Sequence, residues 1–168
     1  MNEWLNLFQR HRASDPCDGC EMVFGEAADA GKIDELERKF GFRFPAEFWS
    51  LYTTYDGYGV TFDSKPGEIY WDFRPLGDLE LFVKQYHDAI VETHPSVATS
   101  FYPFFDWSTG DSAGYLLDDN GQPLPGLYDF YHAGYEADPT QDFTDFLEKA
   151  SDTIVGYIEK MISECETA

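Results

Sequence analysis

Between Ile33 and Gly57 the chain reads IDELERKFGFRFPAEFWSLYTTYDG, a short run that encodes two helices together with the signals that stop them. Ile33, Leu36 and Phe40 fall on one face at helical spacing, and Gly41 is placed to end the turn in a left-handed conformation. Pro45 then marks a second helix start, where a missing N–H costs nothing, and Phe48, Leu51, Tyr52 and Tyr55 supply its buried stripe. Asp56 and Gly57 stop it. Two amphipathic helices this close together need other apolar surface to cover them, and the remainder reads as the sheet and helices that provide it.

Upstream, residues 3 to 12 form an amphipathic helix with Trp4, Leu7 and Phe8 on one face, expected to dock on the body. The polar run ASDPCDGCEMVFGEAADAG reads as a connecting loop. Downstream, Gly59 to Phe62 and Ile69 to Phe73 read as strands joined by a turn through Ser64, Lys65, Pro66 and Gly67. A third helix is expected from Asp78 as N-cap, with Leu79, Phe82, Val83, Tyr86 and Ile90 inward, ending at His94 and Pro95. FYPFFDW is a strand whose Pro103 argues for a sheet edge or a strand start. Tyr115, Leu116 and Leu117 lead into a turn from Asp118 to Gly121, where Asn-Gly signals a hairpin, and the chain returns as Leu127 to Tyr131. From Thr140 a long helix is expected, with Phe143, Phe146, Leu147, Ile154, Ile158 and Met161 inward and a break or bend at Ser151 to Thr153 and Gly156. The fold class is α+β: N-terminal helices, an antiparallel sheet with an inserted helix, and a long C-terminal helix. A chain of 168 residues fits one domain spanning 1–168, which would bury roughly 70% of its unfolded surface.

Charge constrains partners more than fold. There are 32 acidic against 11 basic residues, a net charge of −21. The imbalance is concentrated in residues 56–168, where 22 acidic residues face 5 basic ones, and between Lys84 and Lys149 no Lys or Arg occurs although twelve carboxylates do. Such a surface repels phosphate backbones, which argues against nucleic-acid binding, and attracts a basic protein partner. No apolar run reaches membrane-spanning length and the start MNEWLNLFQRHR lacks an apolar leader core, so a cytoplasmic address and no membrane partner are expected. Three cysteines agree with a reducing compartment.

The helix pair resembles the opening of the SUKH superfamily, which takes in the yeast cell-wall-assembly regulators and many bacterial toxin-immunity proteins. Ile33, Leu36, Glu37, Gly41, Pro45, Phe48, Leu51, Tyr55 and Gly57 occupy the signature positions, while Phe44 replaces the usual Leu and Asp56 the usual Asn. The resemblance extends through the Gly110-Asp111 pair after an aromatic strand, the third strand LYDFYH and the segment FTDFLEKA, so it covers about residues 33–150 and leaves residues 1–30 as an N-terminal extension. It implies a binding domain, not an enzyme: an immunity protein that neutralises a cognate toxin, nucleases included, by direct contact, or alternatively a regulatory or scaffold domain.

Other motifs give weaker chemistry. Gly110-Asp111-Ser112-Ala113-Gly114 fits G-x-S-x-G, with His132 and either Asp118 or Asp129 downstream, but a nucleophile elbow needs a helix directly after the serine, and a strand is expected here; a small hydrolase is therefore the lesser reading. Cys17-Asp18-Gly19-Cys20 lacks a second ligand pair for zinc and reads as a loop with two reduced thiols. LLDDNGQPLPGL breaks the calcium-loop template at Leu116 and Leu127. No metal or other cofactor is expected. Trp71, Asp72, Asp106, Trp107, Asp111 and Tyr115 form the candidate partner-binding group, because aromatic anchors and a carboxylate rim would select a basic ligand.

Overall fold

The computed structural model describes residues 2–14 and 18–167. Helix α1 is Glu3–Ser14, and strand β1, Cys20–Phe24, follows. Then come α2 (Ala30–Phe40), α3 (Ala46–Tyr52), β2 (Tyr58–Phe62), β3 (Lys65–Phe73), α4 (Leu76–Ile90) and α5 (Pro95–Ser100). The chain continues through β4 (Phe101–Asp106), β5 (Ser112–Leu116), β6 (Leu127–Phe130), β7 (Leu147–Ser151) and α6 (Ile154–Thr167). Among the described residues the seven strands form one antiparallel sheet in the order β1 to β7, a meander in which every strand pairs with its neighbours in sequence. The α+β class is that expected.

Local chemistry fixes the helix pair. The Asp29 side chain accepts the Gly31 N–H at 2.7 Å to open α2, and Gly41, at φ 80°, closes it by donating to the Glu37 carbonyl. Asp56 accepts the Leu76 N–H at 2.7 Å and so opens α4 two residues before the expected N-cap, leaving Asp78 within the first turn. Glu47 of α3 takes the N–H groups of Ile154 and Val155 at 2.7 and 2.9 Å, which ties α3 to the start of α6.

Successive β residues point to opposite faces, and the two apolar clusters follow that rule. Tyr115 and Leu127 belong to a cluster with Phe8, Phe48 and Ile158, whereas Leu116 and Phe130 pack with Ile90, Val97 and Phe101. Helices α1, α3 and α6 therefore roof one face, and α5 with the end of α4 the other. Phe8 stacks on Tyr58 at 4.2 Å and the Trp4 indole donates to Ser50 at 3.0 Å, so α1 docks on the body as expected.

Several segments depart from expectation, and Lys65, Pro66 and Gly67, expected in a turn, open β3. Residues 20–24 are strand and not loop, since β1 pairs with β2 from Cys20↔Phe62 to Phe24↔Tyr58. The long helix expected from Thr140 is a 3-10 turn at Phe143–Asp145, then β7, then α6, because pairing of Phe130 with Leu147 and Leu127 with Ser151 overrides the helical propensity of the FLEKA run. The Ser151 to Thr153 break is real. Pro103 lies in the fourth strand of seven, at a point where β4 pairs with β5 but not with β3, so it is locally at an edge as expected, and a bulge follows between Pro103 and Phe105.

Candidate partner-binding site

Strand β3 pairs with β2 along its length but meets β4 only at Phe73↔Phe105, with one further bond from the Arg74 N–H to the Phe104 carbonyl at 2.9 Å. Away from that bridge the two strands diverge, β3 back towards Trp71 and β4 forward into the loop from Trp107 to Asp111. Most of the acidic and aromatic candidates border this mouth.

Asp106 is buried and ion-paired to Arg74, whose guanidinium lies 4.8 Å over the Phe82 ring. Its other oxygen accepts the Ser108 N–H at 2.8 Å, and Ser108 takes a φ of 57°. The loop is then closed by the Trp107 N–H on the Asp111 carbonyl at 3.1 Å and anchored by the His132 N–H on the Asp111 carboxylate at 2.7 Å. Gly110 has a φ of 98° and a Cβ there would stand 3.0 Å from the His132 ring, so glycine is required twice over. These contacts give the Gly-Asp pair a structural meaning: it holds the loop that presents Trp107.

Trp107 is 39% exposed. Its edge is fixed because Nε1 donates to the Tyr157 hydroxyl at 3.0 Å, which in turn donates to Asp129 at 2.7 Å. The Tyr131 hydroxyl, 3.3 Å from Asp129 and 3.1 Å from Glu148, completes the chain. Burial, countered in part by the Tyr157 hydrogen bond, holds the Asp129 carboxyl above its ordinary pKa, and burial next to Asp129 pushes Tyr157 up as well. A raised folded-state pKa means that the folded chain takes up this proton first as pH falls. The Asp129 contribution to stability is thus present at low pH and lost as pH rises through the folded pKa. Melting temperatures of the wild type and Asp129→Asn, compared at neutral and mildly acidic pH, should change relative to each other, with the wild type gaining on acidification. A gap independent of pH would refute the assignment.

The other candidates are placed differently. Asp72 is paired with Arg12 of α1 at 2.8 Å. Trp71 covers Gly57 and Gly59, and a Cβ at either position would lie 3.1 Å from its ring. Tyr115 is a core residue and not a surface anchor: it is 2% exposed, packs against Phe44, Phe48 and Phe104, and has a hydroxyl buried without a hydrogen-bond partner. Sequence reasoning did not place Tyr157, Asp129 or Arg74 at this site, Asp129 having been weighed only as an acid partner of His132 in the hydrolase reading. Their only available signal was type, since Tyr157 lies 50 positions from the indole it holds.

The alternative chemistries meet geometry that opposes them. Ser112 is fully buried at the start of β5 with no helix after it, so the elbow is absent. A cleft of about 270 Å³ lies beside Gly110, lined by Tyr86, Phe130, His132 and Tyr135, and Ser112 is not in its wall. Asp118 is occupied by the N–H groups of Asn120 and Gln122, both at 2.9 Å, as a hairpin turn requires. Cys20 is disulfide-bonded, correcting the expected reduced thiol, while Cys17 lies outside the described residues. Among the described residues no three His, Cys, Asp or Glu side chains group as metal ligands, and no helix is long and apolar enough to cross a membrane.

No curated protein matches the chain. Residues 27–149 match the SMI1 / KNR4 family (SUKH-1), a span that runs from the start of the helix pair through the Gly110-Asp111 loop into β7 and leaves α1, β1 and α6 outside it. The chain therefore belongs to the SMI1 / KNR4 family (SUKH-1).

Proposed function

We propose that this protein is a non-catalytic binding domain of the immunity type, which neutralises a cognate toxin by occupying it, with the whole chain acting as one binding unit. The observation that carries this reading is a half-exposed, rigidly held indole, Trp107, on a stretch that holds no Lys or Arg between Lys84 and Lys149. A preordered aromatic anchor loses little entropy on binding, and surrounding carboxylates favour and accelerate encounter with a basic surface such as a nuclease presents to its substrate. Family membership supports a protein partner; a regulatory role is the other use the family allows.

Where a toxin gene adjoins this one, co-expression of this chain should rescue growth, and the purified pair should form a complex that weakens as salt is added. Trp107→Ala should reduce its affinity at least tenfold, as expected for an anchor worth about 1.4 kcal/mol or more. A chain that rescues cells from no neighbouring toxin, yet captures endogenous regulatory proteins, would replace immunity with regulation. A complex indifferent to both salt and Trp107→Ala would remove this surface from the reading.

A further inference from the structure

The sheet is open in its middle as well as at its ends. Because β3 meets β4 only at Phe73↔Phe105, residues 65–71 have β2 on one side and no strand on the other among the described residues. Lys65 and Pro66 guard the beginning of that edge, but Ile69, Tyr70 and Trp71 combine high β propensity with an unguarded backbone. The outer strands differ, since β1 and β7 are five residues each and carry Glu21 or Glu148 and Lys149. Ile69, 40% exposed, and Trp107 are two of the four large apolar side chains exposed among the described residues, the first on β3 and the second just past the end of β4.

We infer that the Gly67 to Trp71 edge of β3 accepts an extended, lysine- or arginine-bearing segment of a protein partner as an added strand, lodged between β3 and the Trp107 loop. The inference rests on the protein-binding reading above and specifies how the partner is held. Outward N–H and C=O groups would pair with the incoming backbone at the usual spacing of about 4.8 Å, and its side chains would meet Ile69 and Trp107. Charge selects the occupant. Arg12, Arg74 and Lys65 are each paired with a carboxylate, Asp72, Asp106 and Glu68, so the cations nearest this edge are already neutralised while the chain as a whole carries −21. A second copy would bring another net −21 to the same place, so a cationic segment is favoured over self-pairing.

The test needs no toxin and so can fail or succeed independently of the immunity reading. The full chain is titrated at low salt with a synthetic peptide of alternating lysine and valine, and with the same peptide N-methylated at alternate residues. The unmodified peptide should slow amide exchange at outward-facing positions between Gly67 and Trp71 and perturb indole fluorescence, and the N-methylated one should do neither. Neighbouring strand N–H groups point to opposite sides, so of Ile69→Pro and Tyr70→Pro one breaks the β2–β3 ladder and the other removes an outward donor. The variant that keeps the wild-type melting temperature should lose at least fivefold in peptide affinity. Equal binding of both peptides, or binding without protection of these amides, would overturn the inference, as would self-association abolished by the same proline.

Discussion

Glu37→Ala is expected to lower the free energy of unfolding by about 3 kcal/mol, a loss of about 6 to 12 °C in melting temperature for a chain of this size. The Glu37 carboxylate is 3% exposed and accepts the Phe44 N–H at 2.8 Å and the Trp49 indole N–H at 2.9 Å while pairing with Arg43. It thereby braces the end of α2 against the turn into α3. Alanine would leave two donors without partners, one buried and one half-buried, at about 1–3 kcal/mol each. Arg43 is 76% exposed in the same pair, so Arg43→Ala should cost under about 1 kcal/mol. Urea unfolding of both variants decides the matter. Similar losses would mean that the ion pair, and not the brace, matters.

Phe48→Ala should cost still more, about 4 kcal/mol. The ring is fully buried, stacked on Phe44 at 3.8 Å, tilted on Tyr52 at 4.3 Å and edge-on to Phe104 at 5.3 Å, so it joins α3 to the sheet at the centre of the larger cluster. Truncation removes both the transfer energy of the ring and the contacts its neighbours cannot re-form, because the rings around it are held by one another. Phe48→Leu should cost under about 2 kcal/mol, since much of the volume is kept. A loss below about 1.5 kcal/mol for the alanine variant, measured by denaturant titration, would show that the cluster can collapse around the gap.

The helix pair was legible because its signals are local: spacing, a glycine that takes φ 80°, and a proline at a start. The strands that were missed take their form from partners far along the chain. CEMVF sits among turn residues and becomes β1 only through β2, and FTDFLEKA carries helical periodicity that yields to pairing with β6. At the site, composition singled out aromatic and acidic residues on either side of the Phe73↔Phe105 bridge, but could not tell that Asp72 pairs with Arg12, that Tyr115 faces inward or that Tyr157 steadies Trp107.

The strictly sequential strand order also bears on how this chain can reach its native state. Pairing β2 with β3 and β4 with β5 encloses short loops, and longer connections such as residues 25–57 between β1 and β2 are penalised only with the logarithm of their length, by about 0.6 kcal/mol for each doubling. Of the contacts between elements, the seam of α1 on α6, with Arg10 bound to Glu159 across 149 positions, is the one that encloses nearly the whole polypeptide. The sheet can grow from any hairpin outward without waiting for that encounter, and the aromatic interior it shelters is assembled from pieces already adjacent along the backbone.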